Sequence, residues 1–175
     1  MRVGYVLAGA LALGACQAKQ PELGEPTPAA RMAVATMRTA DGAEAGRATA
    51  TEVAGGLRLT LDVRGLPPGR HGAHVHTVGR CDPPGFESAG PHWNPTAMKH
   101  GTNNPQGPHQ GDLPNIVIGA DGRGTLATTV AGSTMDALLD ADASAMMVHA
   151  GADDLVTDPS GNSGGRIACG VFAAG

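Results

Sequence analysis

Short segments in which apolar and polar residues alternate recur along most of the chain. In the clearest of them, apolar side chains occupy every second position from Leu57 to Val63, as in a strand with one buried face. Dipeptides such as Asp41-Gly42 and Gly55-Gly56 separate the segments and are typical of hairpin turns. The pattern predicts eight short strands, at residues 32–39, 46–53, 57–63, 71–78, 116–118, 125–130, 146–149 and 167–172.

Eight short strands joined by glycine-rich and proline-rich turns predict an all-β domain, either an antiparallel sandwich or a barrel. Residues 133–141 are expected to form a helical turn, which is too short to change the fold class. Residues 81–114 and 150–165 are polar and glycine-rich and show no periodicity. Loops of this length are uncommon in a compact domain unless they are functional or pinned, so we expect two long functional loops.

The length and composition favour a single domain with an aliphatic core. The chain has 175 residues, and only 2% of them are aromatic, so Val, Leu, Ile, Met and Ala must fill the interior. The formal net charge of -4 leaves no basic surface of the kind that binds nucleic acid. Nucleic acid is therefore not an expected partner.

The N-terminal segment has the features of an export signal. Arg2 is followed by an apolar run from Val3 to Leu13, which is too short to span a bilayer. It ends in Leu-Gly-Ala-Cys at residues 13–16, which resembles a bacterial lipobox, where the cysteine is acylated and becomes the mature N-terminus. The alternative is an ordinary secretory signal that is cleaved near Ala15 and leaves Cys16 as a free thiol.

These features divide the chain into three parts. Residues 1–15 are the predicted lipoprotein-type signal peptide, and residues 16–30, with three prolines and mixed charge, are the predicted flexible tether. Residues 31–175 form the predicted domain, exported to the periplasm or cell envelope and anchored to a membrane through Cys16. Of the three cysteines, acylation of Cys16 leaves Cys81 and Cys169 as a pair, which suits an oxidising compartment.

The seven histidines all lie between residues 71 and 149, and their spacing separates them into groups. His74 and His76 are two residues apart on a predicted strand, so both imidazoles point to the same face. His71 has the opposite parity and is expected not to be a ligand. Two histidines on a strand are weak evidence of a metal site by themselves. His149, at the end of another strand, would add a further nitrogen ligand. Coordination by imidazoles alone, in a tetragonal arrangement, is a preference of Cu(II).

A second group lies in the long loop and is the stronger signal. His92, His100, His109 and Asp112 supply three imidazoles and a carboxylate, a complete tetrahedral set for a zinc ion. The alternative is a polar loop that contains three histidines by coincidence. Ordering so many residues without regular structure needs a source of free energy, and metal binding would provide it. We therefore predict a zinc site that organises the loop.

At this point the chain resembles the copper/zinc superoxide dismutase family. The resemblance covers about a hundred residues and leaves the ligand spacing undisturbed. The segments that carry it are HGAHVH at 71–76, SAGPHWNP at 88–95, GDLPN at 111–115, VHAGADDL at 148–155 and GNSGGRIACG at 161–170.

The resemblance implies an eight-stranded antiparallel Greek-key barrel or sandwich of immunoglobulin-like type, with copper and zinc as cofactors. It also implies that the enzyme converts superoxide to oxygen and hydrogen peroxide while copper alternates between Cu(II) and Cu(I). In the family, a histidine shared by the two metals delivers a proton, and here that residue is His92. The implied copper ligands are His74, His76, His92 and His149, and the implied zinc ligands are His92, His100, His109 and Asp112.

Four further residues take roles from the same resemblance. Asp153 corresponds to the carboxylate that links a copper-ligand imidazole to a zinc-ligand imidazole, and Arg166 to the arginine beside the copper, which attracts the anionic substrate. Cys81 and Cys169 correspond to the intradomain disulfide. Because the net charge is negative, the local field near Arg166, aided by Lys99 or Arg80, would have to attract superoxide.

Some features depart from the family pattern or leave alternatives open. Trp93 stands where a phenylalanine is expected, and the stretch at 80–87 leaves the loop conformation open. Bacterial members differ in their dimer surfaces, so either a homodimer or a monomer is expected. One alternative function is a periplasmic copper-binding or storage protein without turnover, and another is an inactive relative held together by zinc. Arg166 and Asp153 argue against the first, and the intact copper-ligand set argues against the second.

Overall fold

The computed structural model describes residues 30–175, together with Met1 and Gly4. Cys16, the predicted tether up to residue 29 and all but two residues of the predicted signal peptide therefore lie outside the described residues. Among the residues described, no helix is long and apolar enough to cross a membrane.

The described chain is built from strands and contains very little helix. A short 3-10 helix spans Glu87–Ala89, and the helical turn expected within 133–141 forms as α1, Met135–Leu138. The strands are β1 Met32–Arg38, β2 Glu44–Val53, β3 Gly56–Val63, β4 Gly69–His71, β5 Ala73–His76, β6 Ile116–Ile118, β7 Gly124–Ala131, β8 Ala145–His149, β9 Arg166–Val171 and β10 Ala173–Ala174.

The strands form a curled antiparallel sheet, which confirms the all-β prediction. The main sheet has the order β5-β8-β9-β1-β2-β3-β7, with β10 paired to β1, and β4 and β6 form a separate two-stranded ribbon. The predicted strand at 71–78 is thus divided between the ribbon and the main sheet, and it ends at His76. The division occurs at Gly72, whose backbone N–H donates to Gly151 in the second long loop and whose carbonyl accepts from His149 at the end of β8.

The inward faces of the strands form the main core, and it is aliphatic as the composition predicts. On β3 the apolar positions are nearly inaccessible to solvent, and the largest wholly buried side chains elsewhere include Met37, Leu113 and Ile116. Trp93 and Phe172 join this core. A smaller group, which we call the disulfide cluster, lies against the long loop and consists of Phe86, Ala89, Ala145, Met147 and Cys169, with Cys81 packed against it.

Candidate metal centres

Two neighbouring strands place three histidines on one face of the sheet. β5 pairs with β8, so that His74 lies opposite Met147 and His76 lies opposite Ala145, while His149 ends β8. All three histidines are buried. His71, which was expected not to be a ligand, does not belong to this group of three histidines. Its two ring nitrogens lie 2.8 Å from the His149 carbonyl oxygen and 3.0 Å from the Pro67 carbonyl oxygen.

The long loop brings His92 to the same face. A bridge between His76 and His92 fixes the loop against β5, and the ring centres of His74 and His92 are only 4.0 Å apart. One ring nitrogen from each of His74, His76, His92 and His149 lies within 4.8 Å of the other three. The structure therefore brings together all four residues that the sequence suggested for copper.

The nitrogens that converge are the ones left without hydrogen bonds. Within the described part of the chain, the buried side-chain nitrogens that lack a partner are His74 Nδ1, His76 Nε2, His92 Nε2 and His149 Nε2. A buried polar atom without a partner is costly and calls for an explanation, such as a bound ion. Four neutral imidazole nitrogens aimed at one point fit a copper ion.

The opposite nitrogen of each ring is held in place by a hydrogen bond. His76 Nδ1 donates to the Gly90 carbonyl at 2.8 Å, and His149 Nδ1 donates to the Gly164 carbonyl at 3.1 Å. His74 Nε2 lies 2.7 Å from Asp153 Oδ2. Such contacts fix the tautomer and orientation of a metal-binding imidazole.

Three histidines of the loop converge on one carboxylate oxygen. The Nδ1 atoms of His92, His100 and His109 lie 2.9, 3.0 and 3.3 Å from Asp112 Oδ1. Asp112 Oδ2 accepts backbone N–H groups from Gly101 at 2.8 Å and from His109 at 3.0 Å. Three imidazoles and one carboxylate in this compact arrangement fit a tetrahedral zinc ion.

His92 belongs to both groups. Its Nε2 faces His74, His76 and His149, and its Nδ1 faces Asp112. A single imidazole could therefore connect two metal ions, which is the role that the family resemblance implies for this residue.

Burial favours the neutral form of His74, His76 and His149, which is the form that binds a metal. It lowers the pKa of His74 to about 4, of His76 to about 2 and of His149 to about 3. At His100 burial also favours the neutral form, but hydrogen bonds to Asp112 and Asp153 outweigh it and raise the pKa to about 9.

The two buried carboxylates remain ionised for a related reason. Burial opposes ionisation of both, but at Asp112 hydrogen bonds from His100 and His92 outweigh it and hold the pKa well below its usual range. At Asp153, hydrogen bonds from His100 and His74 have the same effect on the pKa. The cluster of imidazoles therefore encloses two negative charges, which favours cation binding.

Arg166 begins β9 and is partly buried beside the histidines. Its Nη1 donates to the Phe86 carbonyl at 2.5 Å, and its Nη2 donates to the Gly90 carbonyl at 2.7 Å. Burial lowers its pKa, which the charge of Glu87 opposes. A guanidinium keeps its charge in proteins, so Arg166 is a fixed cation at this position.

The other two cations considered for substrate attraction each have a carboxylate partner. Lys99 Nζ lies 3.1 Å from Asp158, and Arg80 lies 2.6 Å from Asp82. Their fields are therefore largely offset, and Arg166 has no carboxylate partner among the ion pairs of the described residues.

The predicted disulfide is confirmed. Cys81 and Cys169 are bonded across a sequence separation of 88, and they tie the long loop to β9. The sequence did not reveal that the backbone carbonyls of Phe86 and Gly90 hold Arg166, because a carbonyl acceptor leaves no side-chain signature. The SAGPHWNP segment, which includes Gly90, was the nearest available signal.

The sheet and its long loop bring six buried histidines and an aspartate into two adjacent groups that share one histidine, an arrangement expected of a metalloprotein with two neighbouring metal centres. The family model described as copper/zinc superoxide dismutase matches residues 44–172. The chain belongs to this family.

Relatives with known names agree with this assignment. A Cu-Zn superoxide dismutase of Caulobacter vibrioides is 44% identical over 147 residues, which are 80% of this chain and 84% of the relative. A solved Cu/Zn superoxide dismutase from Brucella abortus is 31% identical, with a TM-score of 0.68, over 81% of this chain and 99% of that one. A solved superoxide dismutase-like protein from Bacillus subtilis is 37% identical, with a TM-score of 0.76, over 80% of this chain and 97% of that one.

The protein is thus an oxidoreductase that dismutates superoxide, with copper and zinc as its cofactors. A copper-storage role without turnover is not favoured, because relatives named as Cu-Zn superoxide dismutases match across most of the chain. The disulfide is typical of proteins in an oxidising compartment.

Proposed function

We propose that His74, His76, His92 and His149 bind the copper ion, and that His92, His100, His109 and Asp112 bind the zinc ion. The observation that carries the copper assignment is the set of four buried ring nitrogens without hydrogen bonds, one from each residue. The zinc assignment is supported by the contacts of the three Nδ1 atoms with Asp112. Bound copper supplies the one-electron chemistry that dismutation needs.

Arg166 attracts and orients superoxide in this proposal. A guanidinium presents a planar array of N–H donors that suits small oxyanions, and two carbonyls fix this one beside the copper-facing histidines. The formal net charge of the chain is -4, so attraction has to come from a local field of this kind.

His92 supplies a proton when superoxide is reduced to peroxide. Its Nδ1 faces the zinc group, so its Nε2 would be the nitrogen that takes a proton from solvent when no metal occupies it, and that gives this proton to the substrate. Asp153 holds the rings of His74 and His100 in position through contacts with the Nε2 atom of each ring. The protein side chains thus bind the anion, orient the metal ligands and deliver a proton from His92 Nε2.

The copper assignment can be tested with two histidines that differ in the surroundings of their ring nitrogens. His149→Gln removes one of the four unpartnered nitrogens, whereas His71→Gln changes a buried histidine whose nitrogens both face carbonyls. After reconstitution, His149→Gln is expected to bind less copper and to change the electron paramagnetic resonance spectrum of Cu(II). Native copper content and spectrum in His149→Gln, or an equal loss in both variants, would contradict the assignment.

For the N-terminal region we propose export to the periplasm or cell envelope, removal of residues 1–15 and a lipid anchor at Cys16. Residues 16–30 then act as a tether for a domain at 31–175, which is a monomer or a homodimer. The disulfide between Cys81 and Cys169 supports export. Cys16→Ser is expected to move the protein from the membrane fraction to the soluble periplasmic fraction, and continued membrane association would contradict the anchor. Sedimentation equilibrium distinguishes monomer from dimer.

A further inference from the structure

The position of Arg166 is determined by a short segment of the long loop, residues 86–90. Its two terminal nitrogens donate to the carbonyl oxygens of Phe86 and Gly90, the first and last residues of this segment. The Gly90 carbonyl also accepts a hydrogen bond from His76 Nδ1 at 2.8 Å. The placement of the segment therefore affects both the anion-binding arginine and the orientation of a copper-facing histidine.

Phe86 has a backbone conformation that is unfavourable for its residue type. Its φ of 57° lies in the left-handed region, which is uncommon and unfavourable for a bulky residue. In this conformation its N–H donates to the Asp82 carbonyl at 3.0 Å, and its own carbonyl accepts both from Ala89 and from Arg166. The strained residue is thus the one that presents an acceptor to the guanidinium.

The side chain of Phe86 accounts for the persistence of this conformation. It is only 2% exposed and belongs to the disulfide cluster, with Met147 of β8 and Cys169 of β9. Met147 lies opposite both His74 and Cys169 in the sheet, so the cluster rests on the strands that carry the histidines. Burial of an aromatic ring contributes enough free energy to hold one residue in the left-handed region.

We propose that Phe86 is a positioning residue for Arg166. Anchoring of its ring in the disulfide cluster holds the 86–90 segment in the conformation that presents two carbonyls to the guanidinium. The disulfide acts on Arg166 through this contact, because Cys81 precedes Phe86 by five residues and, among the residues of the disulfide cluster, only Phe86 accepts a hydrogen bond from the arginine. The functional consequence rests on the proposed role of Arg166 in binding superoxide.

The test compares the only two phenylalanines of the chain. Both are 2% exposed, but Phe172 belongs to the main core and Phe86 to the disulfide cluster. Metal-loaded Phe86→Ala, Phe86→Leu and Phe172→Ala are compared with the unaltered protein by two measurements. One is the rate at which phenylglyoxal modifies Arg166, located by peptide mass spectrometry, with exposed Arg58 as the internal reference. The other is the affinity for azide, a small anion, followed by its absorption band with copper.

If the proposal is correct, Phe86→Ala makes Arg166 react faster and weakens azide binding about tenfold, the size of one lost hydrogen bond to a charged group. Phe86→Leu restores most of both values because it keeps an apolar anchor, and Phe172→Ala changes neither. Unaltered reactivity of Arg166 in Phe86→Ala overturns the proposal, as does an equal change in Phe172→Ala. If Phe86→Ala does not fold, Phe86→Leu decides, because its Arg166 must still react measurably faster than in the unaltered protein. Faster modification with unchanged azide affinity would retain the positioning role and instead refute the role of Arg166 in anion binding.

Discussion

His74 and His100 belong to different groups of candidate metal ligands, yet they hydrogen-bond to the same carboxylate. Asp153 Oδ2 lies 2.7 Å from His74 Nε2, and Asp153 Oδ1 lies 3.0 Å from His100 Nε2. The backbone of Asp153 is itself held in place, since its carbonyl accepts from Asn115 Nδ2 and its N–H donates to Asn115 Oδ1. The orientation of a copper-facing ring and that of a zinc-facing ring are therefore coupled through one buried residue.

Asp153→Asn should weaken the binding of both metals. The amide keeps the shape but loses the charge and one acceptor, so the two imidazoles can no longer both donate to it. Loss of such an outer partner typically costs about 10–100-fold in metal affinity. Competition with a chelator of known affinity measures the loss for copper and zinc separately. The matched control is Asp154→Asn, which alters an exposed neighbour that caps the loop backbone and contacts no histidine. Equal metal affinities in the two variants would argue against the bridging role.

Asp112→Ala should abolish tight zinc binding and loosen the loop. Its carboxylate is where three histidine rings and two backbone N–H groups converge, so removal leaves five polar groups without their partner. We expect zinc affinity to fall at least about 100-fold, the upper range for changes outside the ligand set. Zinc stoichiometry and hydrogen exchange of residues 96–112 measure the two effects. Asp121→Ala, in an exposed turn, is the control, and full zinc retention in Asp112→Ala would show that the zinc site lies elsewhere.

Arg166→Glu should slow superoxide removal without changing copper content. Reversal of the charge replaces attraction by repulsion beside the copper-facing histidines, and steering effects of this kind reach about 10–1000-fold in association rate. We expect a loss of about 100-fold, with an intermediate value for Arg166→Lys, which keeps the charge but not the planar array of donors. Because salt screens the repulsion, added salt should raise the rate of Arg166→Glu, whereas it should lower the rate of the unaltered protein. A normal rate with normal copper content would exclude the proposed role.

The metal-free protein should lose stability as the pH falls from about 6.5 towards 4. Burial lowers the pKa of His74 to about 4 and of His149 to about 3, so below pH 6.5 the unfolded chain takes up protons that the folded chain does not. At His100 the pKa is raised to about 9, so that residue stabilises the fold as pH falls from 9 to 6.5 and adds no slope below it. Asp112 and Asp153, with lowered pKa values, stay ionised through this window.

Thermal unfolding of the metal-free protein at several pH values between 7.5 and 4 measures this dependence. The midpoint temperature of unfolding is expected to decrease steadily below pH 6.5. It should change less when copper and zinc are bound, because bound metal prevents protonation of the histidine nitrogens that hold it. A midpoint that stays constant down to pH 4 would mean that the histidines are not held neutral by burial.

Much of the fold could be predicted from the sequence because each strand carries its own signal. The alternation from Leu57 to Val63 corresponds to β3, whose register with β2 and β7 buries those side chains. The division of residues 71–78 could not be predicted, because it depends on a hydrogen bond that Gly72 donates to Gly151 and on another that it accepts from His149, both about eighty residues away in sequence. The local pattern of apolar and polar residues does not indicate backbone hydrogen-bond partners that are so distant in sequence.

The features of the candidate site also divide into those that the sequence indicates and those that it does not. His92, His100 and His109 could be recognised because ligand chemistry resides in side chains that are rare and distinctively spaced. The parity rule for strands also placed His74 and His76 together and His71 apart, as the structure has them. Other acceptors that orient the site are the backbone oxygens of Phe86, Gly90 and Gly164, which leave no signature in the sequence and are revealed only by the three-dimensional structure.

The decisive measurement is the decay of superoxide after a pulse, followed optically in the presence of the purified metal-loaded protein. We expect rapid decay that is lost when copper is removed, restored when copper returns, and slowed in Arg166→Glu at unchanged copper content. Copper and zinc bound in full stoichiometry without acceleration of the decay would contradict this expectation, and would instead support a protein that binds copper without turnover.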